Sequence, residues 1–213
     1  MMSMVVTAIE DYRKNKYRIY LNDAFAFVLY KGDLRHYDIT VGKTLTEEDL
    51  LLIREEVLIK RARMRAMHLL QARDYTEEMM MRKLKEGLYP QDVCEDAVSY
   101  VKHYHYIDDE RYALSFIEAH ASSQSIGQIT QKLRQKGVGK ETVMAAFSDY
   151  EEEHGVDNEE RELSILKEQM GKKLQGVTPD RAAREKLFAA FYRRGFSLPM
   201  IEKAYAQISD DGI

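Results

Sequence analysis

The stretch KLRQKGVGKETV, residues 132–143, decides the fold because the chain repeats its pattern twice more. The other copies are KLKEGLYPQDV, residues 83–93, and FYRRGFSLPMI, residues 191–201. Each copy joins a basic apolar helix end to a glycine, an apolar residue and the start of a new apolar helix. Copies that lie about fifty residues apart indicate repeated helical modules.

Each glycine is followed by apolar residues at offsets of six, ten and thirteen. These residues are Val93, Ala97, Tyr100; Val143, Phe147, Tyr150; and Ile201, Tyr205, Ile208. The offsets place each set on one face of a helix. A glycine suits the left-handed position just past a helix end, and the apolar residue after it has hydrophobic-staple spacing to the residue at offset six. We therefore predict tight helix-to-helix corners at Gly87, Gly137 and Gly195, with Pro90 at the first helical position after the first corner.

Composition bounds the class of protein. The chain has 213 residues, of which 45% are hydrophobic and 32% are charged, as expected for a helix-rich soluble protein. Its single cysteine, Cys94, cannot form an internal disulfide. The sequence contains neither an apolar run long enough to span a bilayer nor a signal peptide at its start. We therefore expect a cytoplasmic protein without membrane contact.

The charge is unevenly distributed. Formal net charge is −4, and residues 106–155 hold nine acidic but only five basic side chains. This balance argues against a uniformly basic nucleic-acid binder. Any contact with a polyanion therefore requires a local cluster of cations.

The chain divides into a β-rich start and a helical remainder. Short runs of β-branched and aromatic residues predict a small antiparallel sheet within residues 1–45, packed on a long helix that Thr46 caps. Beyond it, three-helix repeats are predicted at 46–105, 106–150 and 161–213, with the acidic segment 151–160 as a solvated linker. The predicted fold is thus mainly α, with three tandem three-helix modules in an elongated arrangement after the small β segment.

Four short strings resemble the RecX regulators of the bacterial recombinase RecA. They are YIDDERYA at 106–113, the QKGV turn at 135–138, RRGF at 193–196 and ARDYTEEMMMRKL at 72–84. This resemblance implies three helical modules, no catalysis, no cofactor, and binding along the RecA filament on DNA that damps ATP hydrolysis and strand exchange. His105 stands where that family often has glycine. Motif residues with an expected structural role are Asp108, Asp109, Tyr112, Gly137 and Gly195.

Two groups of cations are candidate contacts for RecA or DNA. Arg54, Arg61, Arg65 and His68 would form a stripe on one continuous helix, although the apolar pattern suggests a bend near residue 58. The second group precedes the corners and comprises Lys83, Lys85, Lys132, Arg134, Lys136, Arg193 and Arg194. Two structural alternatives remain open. The stripe also fits a solvated helix face, and the second group also fits cations that complement the helix dipole.

The first strands interleave basic and aromatic residues. They include Tyr12, Arg13, Lys14, Lys16, Tyr17, Arg18 and Tyr20, a composition that fits single-strand binding or a charged, protected edge strand. His103 and His105 with two aspartates give only a weak metal-site pattern. No nucleophile motif, catalytic carboxylate pair or phosphate-binding loop is present in the sequence. We therefore expect that the protein is not an enzyme.

Two functions from different classes are consistent with these observations. The first is a monomeric regulator whose partner is the RecA filament on DNA, with weak direct DNA binding. The alternative is a stand-alone DNA-binding protein, because three-helix modules with tight corners also resemble helix-turn-helix units. Salt dependence of DNA binding and the need for RecA distinguish the two.

Overall fold

An antiparallel sheet begins the chain, as the β-branched and aromatic runs predict. The computed structural model describes residues 3–174 and 179–210. Its strands are β1 (Met4–Arg13), β2 (Lys16–Leu21), β3 (Ala24–Tyr30) and β4 (Thr44–Leu45), in the order β3-β2-β1-β4. Asn22 and Asp23 join β2 to β3 with φ of 47° and 66°. Left-handed residues at both positions match the right-handed twist of a two-residue hairpin.

The sheet packs on a long helix that contains a π-helical segment. After α1 (Lys31–His36) come α2 (Glu47–Ile53), six π-helical residues (Arg54–Ile59) and α3 (Lys60–Leu70). The backbone N–H of Asp49 donates to Thr46 Oγ1 at 3.1 Å, which confirms the predicted cap. Buried residues of the sheet and of this helix form one apolar core. The bend was predicted near residue 58, which lies in this π-helical segment. A π-helical turn shifts the register of the side chains that follow it.

Helices make up most of the remaining described chain. The first unit of the fold ends at Ile107 and contains α4 (Glu77–Glu86) and α5 (Gln91–His103). The second unit begins at Asp108 and contains α6 (Asp109–His120), α7 (Ile126–Gln135), α8 (Lys140–His154), α9 (Asn158–Leu174), α10 (Arg181–Tyr192) and α11 (Leu198–Asp210). Helices α6–α8 and α9–α11 each enclose an apolar core of their own. The fold is thus mainly helical, with helical modules after a small antiparallel sheet.

The corners at Gly137 and Gly195 have the predicted conformation. Their φ angles are 90° and 84°, in the left-handed region. Val138 N–H donates to the carbonyl of Leu133 at 3.1 Å, and Gly137 N–H donates to that of Arg134 at 3.0 Å. These two bonds define a Schellman ending, in which Gly137 is the first residue beyond the helix cap. The corner at Gly195 has the same pair of bonds.

The first corner is displaced by one residue, so our assignment there was wrong. Gly87 has φ of −77°, and the left-handed residue is Leu88 with φ of 62°. Tyr89 N–H closes the turn onto Leu84 O, at 3.4 Å. Pro90 precedes α5 as its N-cap, with ψ of 153°, and is not the first helical residue. Local capping rules identified the corner but not the residue that adopts the left-handed conformation.

Helix α5 ends in the same way as the helices before the corners. His105 has φ of 57°, its N–H donates to Lys102 O, and Tyr106 N–H donates to Val101 O, both at 2.9 Å. A left-handed residue is therefore required at His105, where the resembled family often has glycine. Only glycine adopts this conformation without steric cost.

Most of the acidic segment predicted as a linker is helical. Residues 151–154 complete α8, Gly155 ends it with φ of 60°, and α9 begins at Asn158. The Glu151 carboxylate accepts the Asn158 backbone N–H at 2.8 Å. An acidic residue at a helix start is favourable, so the charge that suggested a linker instead caps α9. In the third repeat, the sequence predicts a helix cap at Thr178, which lies outside the described residues. In the structure, Asp180 caps α10.

A polar junction joins α7 to the third repeat within the second unit. Ser125 Oγ donates to the carbonyl of Arg194 at 2.6 Å, and Ile126 N–H donates to Glu162 Oε1 at 2.8 Å. A Cβ atom on Gly127 would lie 2.5 Å from the carbonyl oxygen of Gly195. The two repeats therefore meet backbone to backbone, which only a residue without a Cβ permits.

Candidate polyanion-binding groove

A basic groove opens in the first unit where the β1–β2 hairpin meets α3 and the end of α4. Its volume is about 850 Å³. The lining residues are Arg13, Lys16, Tyr30, Arg61, Met64, Arg65, Lys83, Glu86, Gly87 and Tyr89. Five of them are cations, whereas Glu86 is the one acid among the described lining residues. The groove is therefore strongly positive in a chain whose net charge is negative.

Three of the cations are not neutralised by a carboxylate. Within residues 3–174 and 179–210, Arg13, Lys16 and Arg65 form no ion pair. Lys83, by contrast, contacts Glu86 at 2.6 Å. Unpaired cations on three separate elements repel one another, and binding an anion relieves this repulsion.

Arg61 is held rigidly at the wall of the groove. Its two terminal nitrogens donate to both carboxylate oxygens of Asp33, at 2.5 and 2.8 Å, and its guanidinium lies 4.5 Å from the centre of the Tyr30 ring. Burial acts to raise the pKa of Asp33, but hydrogen bonds from Arg61 and from the Tyr30 backbone outweigh it and lower that pKa. Arg61 therefore positions Tyr30 and contributes little free charge.

Cations already contact one of the two aromatic rings of the groove. The Tyr30 ring contacts Arg61 and Lys16, whose Nζ is 4.9 Å from the ring centre. Tyr89 is half-buried, and burial raises the pKa of its hydroxyl, so the side chain stays neutral. The groove thus offers charge and hydrogen-bond donors, which suit phosphate or carboxylate groups.

The predicted stripe on the long helix is split. Arg61 and Arg65 line the groove, while Arg54 donates from Nε to Asp92 at 2.5 Å and also contacts Glu55. The stripe was predicted on α-helical spacing, and the π-helical segment between Arg54 and Arg61 breaks that spacing. Lys85 is exposed and does not line the groove.

Sequence reasoning did not connect Arg13 and Lys16 with this site. The edge-strand interpretation is wrong for Lys16, because β2 is an inner strand between β1 and β3. Both residues flank the β1–β2 turn and are register partners. The sequence signal for this site was a pair of cations at the end of a hairpin. It could not be linked to α3, which lies beside the hairpin in the fold but is distant in sequence.

The predicted cations of the second unit have local contacts. Lys132 Nζ donates to Gln124 at 2.9 Å, and Lys136 lies 5.8 and 5.6 Å from the rings of Tyr112 and Phe116. Arg194 lies 5.4 Å from the ring of Phe191. Arg134 and Arg193 are exposed. The structure does not bring these residues into the groove, and their role as RecA or DNA contacts stays a prediction.

The motif residues at the start of α6 have structural contacts. Asp108 caps the helix, and its Oδ1 accepts the N–H groups of Glu110 and Arg111 at 3.0 Å. Asp109 lies in the first turn, where an acid complements the helix dipole. Tyr112 is half-buried against the core of the second repeat.

The described residues offer neither a metal site nor a reactive thiol. No group of three or more His, Cys, Asp or Glu side chains in this part of the chain could hold a metal ion. Cys94 is buried, and burial raises the pKa of its thiol to about 11. This thiol is therefore protonated at neutral pH and a poor nucleophile. No helix within the described ranges is long and apolar enough to cross a membrane.

Comparison with known proteins covers nearly the whole chain. Family models described as the first and second three-helix domains of RecX match residues 62–100 and 108–146. The regulatory protein RecX of Caldanaerobacter subterraneus subsp. tengcongensis is 26% identical over 202 residues, 94% of this chain and 98% of the relative. The regulatory protein RecX of Bacillus subtilis is 24% identical over 207 residues, 95% of this chain and 76% of the relative.

Two solved structures of RecX proteins also resemble this chain. A crystal structure of regulatory protein RecX superposes with a TM-score of 0.63 and 25% identity, and the match covers 97% of this chain and 99% of that one. RecX from Lactobacillus salivarius has a TM-score of 0.62 at 16% identity over 71% of this chain and 97% of its own, which shows the shared fold. Taken with the two three-helix domain matches, these findings show that the chain resembles the RecX regulatory proteins over nearly its whole length.

Proposed function

We propose that this protein is a non-enzymatic regulator of the RecA recombinase. It binds the RecA filament on DNA as a monomer in the bacterial cytoplasm and damps ATP hydrolysis and strand exchange during recombination and repair. Similarity to proteins named regulatory protein RecX supports the regulatory role. The observation that carries the proposal of a polyanionic partner is the groove with three unpaired cations, Arg13, Lys16 and Arg65.

The groove contacts the filament through charge. Acidic side chains of RecA or phosphates of its DNA enter between Arg13 and Arg65. Neither arginine has a carboxylate partner among the described residues. Arg61 and Asp33 keep the wall of the groove in place, so little side-chain entropy is lost on binding. A protein bound across neighbouring RecA subunits opposes the motions that couple ATP hydrolysis to DNA exchange. Lys85 and the predicted cations of the second unit are further candidate contacts.

Titration of RecA ATPase on single-stranded DNA tests the proposal. We expect the wild-type protein to inhibit hydrolysis and the double variant Arg13→Glu/Arg65→Glu to need at least about tenfold more protein for the same effect, since charged interface contacts cost about 2 kcal/mol or more. Lys140→Glu is the control because Lys140 is exposed outside the groove. Wild-type protein without effect on ATPase and strand exchange would overturn the regulatory function. Inhibition by the double variant at the wild-type level would instead show that the groove is not the contact.

A stand-alone DNA-binding protein is the alternative, because the same unpaired cations fit DNA phosphates. Such a protein would bind bare DNA with an affinity that falls steeply as salt rises, and it would not require RecA. The regulator would inhibit RecA at concentrations far below those at which it coats bare DNA. Measuring both midpoints at one salt concentration decides between the two functions.

A further inference from the structure

The end of α5 exposes a group of aromatic side chains that the groove does not use. Residues 97–107, with the sequence AVSYVKHYHYI, contain three tyrosines, two histidines and one lysine but no acid. The side chains of Tyr104 and Tyr106 are 53% and 47% exposed. Exposed aromatic side chains that lie close together often mark an interaction site, although acids flank this segment at Asp96 and Asp108.

The rings are ordered in a row. Arg63 lies 4.6 Å from the ring centre of Tyr100, and the Tyr100 and Tyr104 rings are 4.9 Å apart. Tyr104 is in turn 5.0 Å from His103 and 6.4 Å from Tyr106. We call Tyr100, His103, Tyr104 and Tyr106, with Arg63, the aromatic strip. Its inner end is anchored, because Arg63 Nε and NH2 donate to both carboxylate oxygens of Asp96 at 2.7 and 2.9 Å.

The backbone holds the outer end of the strip. His105 is left-handed, and the N–H of Tyr106 donates to the carbonyl of Val101 at 2.9 Å. This ending places Tyr106 back beside the last turn of α5. Two exposed tyrosines are thus held in a defined arrangement, so binding a flat ligand requires little further ordering.

We propose that the aromatic strip is a stacking surface for the bases of single-stranded nucleic acid. Single-strand binders combine aromatic faces for bases with nearby cations for the backbone. The strip supplies open rings, while its own cation Arg63 is neutralised by Asp96. The unpaired cations lie nearby, in the basic groove. The exposed Met64 of α3 lines both that groove and a shallow groove that contains Arg63 and Tyr100. The stacking surface lies outside the basic groove, whose unpaired cations would meet the nucleic-acid backbone, and binding does not depend on RecA.

Two oligonucleotide probes separate stacking from charge. Fluorescence anisotropy would compare a labelled oligothymidine of about twelve nucleotides with an abasic oligomer of equal length, which keeps the phosphates but has no bases. We expect wild-type protein to bind the oligothymidine at least about tenfold more tightly, because each stacked base contributes about 1–3 kcal/mol. Tyr104→Ala/Tyr106→Ala should lose this preference. Tyr104→Phe/Tyr106→Phe should keep it, since phenylalanine retains the ring.

Controls distinguish this site from the groove. Tyr192, which is 58% exposed on the second unit, supplies the matched variant Tyr192→Ala, and it should keep the preference for bases. Arg13→Glu/Arg65→Glu should weaken binding of both oligomers and flatten the salt dependence while the ratio between them stays the same.

Two results would overturn the proposal. The first is equal wild-type affinity for the two oligomers, and the second is an unchanged preference in the folded alanine variant. If that variant kept its preference for bases but lost RecA inhibition, the strip would be a protein-docking surface. Circular dichroism would check that the alanine variant is folded. Equal wild-type affinity for the two oligomers would leave the proposed regulation of RecA through the groove untouched.

Discussion

The corner at Gly87 and the corners at Gly137 and Gly195 share one sequence pattern but differ in conformation. In the later two corners the glycine is left-handed, and two residues separate it from the next helix. In the first corner the turn lies one residue further along, at Leu88, and Pro90 is the N-cap. Pro90 has ψ of 153°, and the turn is displaced by one residue, while four residues separate the two helices here as at the second corner.

This difference shows that an identical glycine has a different energetic role in each corner. Gly195 combines a left-handed backbone with a close approach to α7, Gly137 has the left-handed backbone, and Gly87 has a backbone that any residue adopts. Leu88 instead carries the left-handed strain, at a cost of about 1–2 kcal/mol. Replacing these glycines one at a time should therefore give graded effects.

Gly195→Ala should have the largest effect, a loss of about 3 kcal/mol or more. The alanine would have to adopt a left-handed backbone conformation. Its Cβ would lie 2.9 Å from Ser125 Oγ and 3.0 Å from the Gln128 backbone nitrogen. Hydrogen exchange of the α7 and α11 amides in the full chain measures the opening free energy. Gly155→Ala is the matched control, since Gly155 is left-handed with open space around it. A loss equal to that of the control would mean that α7 does not constrain this corner.

Glu162→Ala should rank second, at about 2 kcal/mol, because it leaves the N–H of Ile126 buried without a partner. Glu162 is only 5% exposed, and burial raises the pKa of its carboxyl despite the hydrogen bond from Ile126. A raised pKa in the folded state favours folding when the group is protonated, and this contribution is lost as pH rises through the folded pKa.

The pH dependence of that effect follows from the sign of the shift. Relative to Glu162→Gln, which keeps the acceptor without the charge, wild-type protein should lose stability as pH rises above about 4.5, the ordinary pKa of the carboxyl. Urea unfolding of both proteins across this range measures the difference. A difference that is constant with pH would show that Glu162 titrates alike in the folded and unfolded states.

Gly137→Ala should rank third, with a loss of about 1–2 kcal/mol. The left-handed φ of 90° is the cause, because an L-residue there brings its Cβ close to the following carbonyl. Thermal unfolding of the full chain detects the change, and Gly155→Ala again provides the reference for left-handed strain. An increase in stability would contradict the assigned conformation.

Gly87→Ala should have the smallest effect, below about 1 kcal/mol, since φ of −77° suits alanine. Its Cβ would lie 3.0 Å from the Leu84 carbonyl oxygen and 3.1 Å from the Tyr89 ring, and both contacts limit any gain. Leu88→Asn sharpens the comparison, because asparagine tolerates the left-handed region and should cost little or stabilise the corner. If Gly87→Ala were as harmful as Gly137→Ala, the displaced first corner would be wrong.

Local sequence rules predicted the helix ends well. Thr46 caps its helix as predicted, and Asp108 has the expected structural role as a cap, because a cap depends on residues only two or three positions away. The same locality explains the misread acidic segment. Composition marked it as solvated, whereas Glu151 finds its partner at Asn158 once α8 and α9 meet.

The candidate groove was only partly accessible to sequence reasoning. Arg61, Arg65 and Lys83 were predicted contacts, but in two separate groups. Arg13 and Lys16 join them through packing of the hairpin against α3, and no periodicity reports such an approach. Which cations remain unpaired also depends on tertiary contacts, since Arg54 has Asp92 as a partner 38 positions away.

The sequence by itself determined the repeated helices, their corners and the small sheet, since these follow from backbone conformation and hydrogen bonds between near neighbours. Tertiary structure decided which residue of the first corner is left-handed, how Glu162 and Gly127 join the second repeat to the third, and which cations share a groove. Those outcomes depend on close approach between distant segments, where a single Cβ atom or carboxylate changes the balance. Side-chain packing and pairing act over a few ångströms, and only the folded chain brings such segments that close.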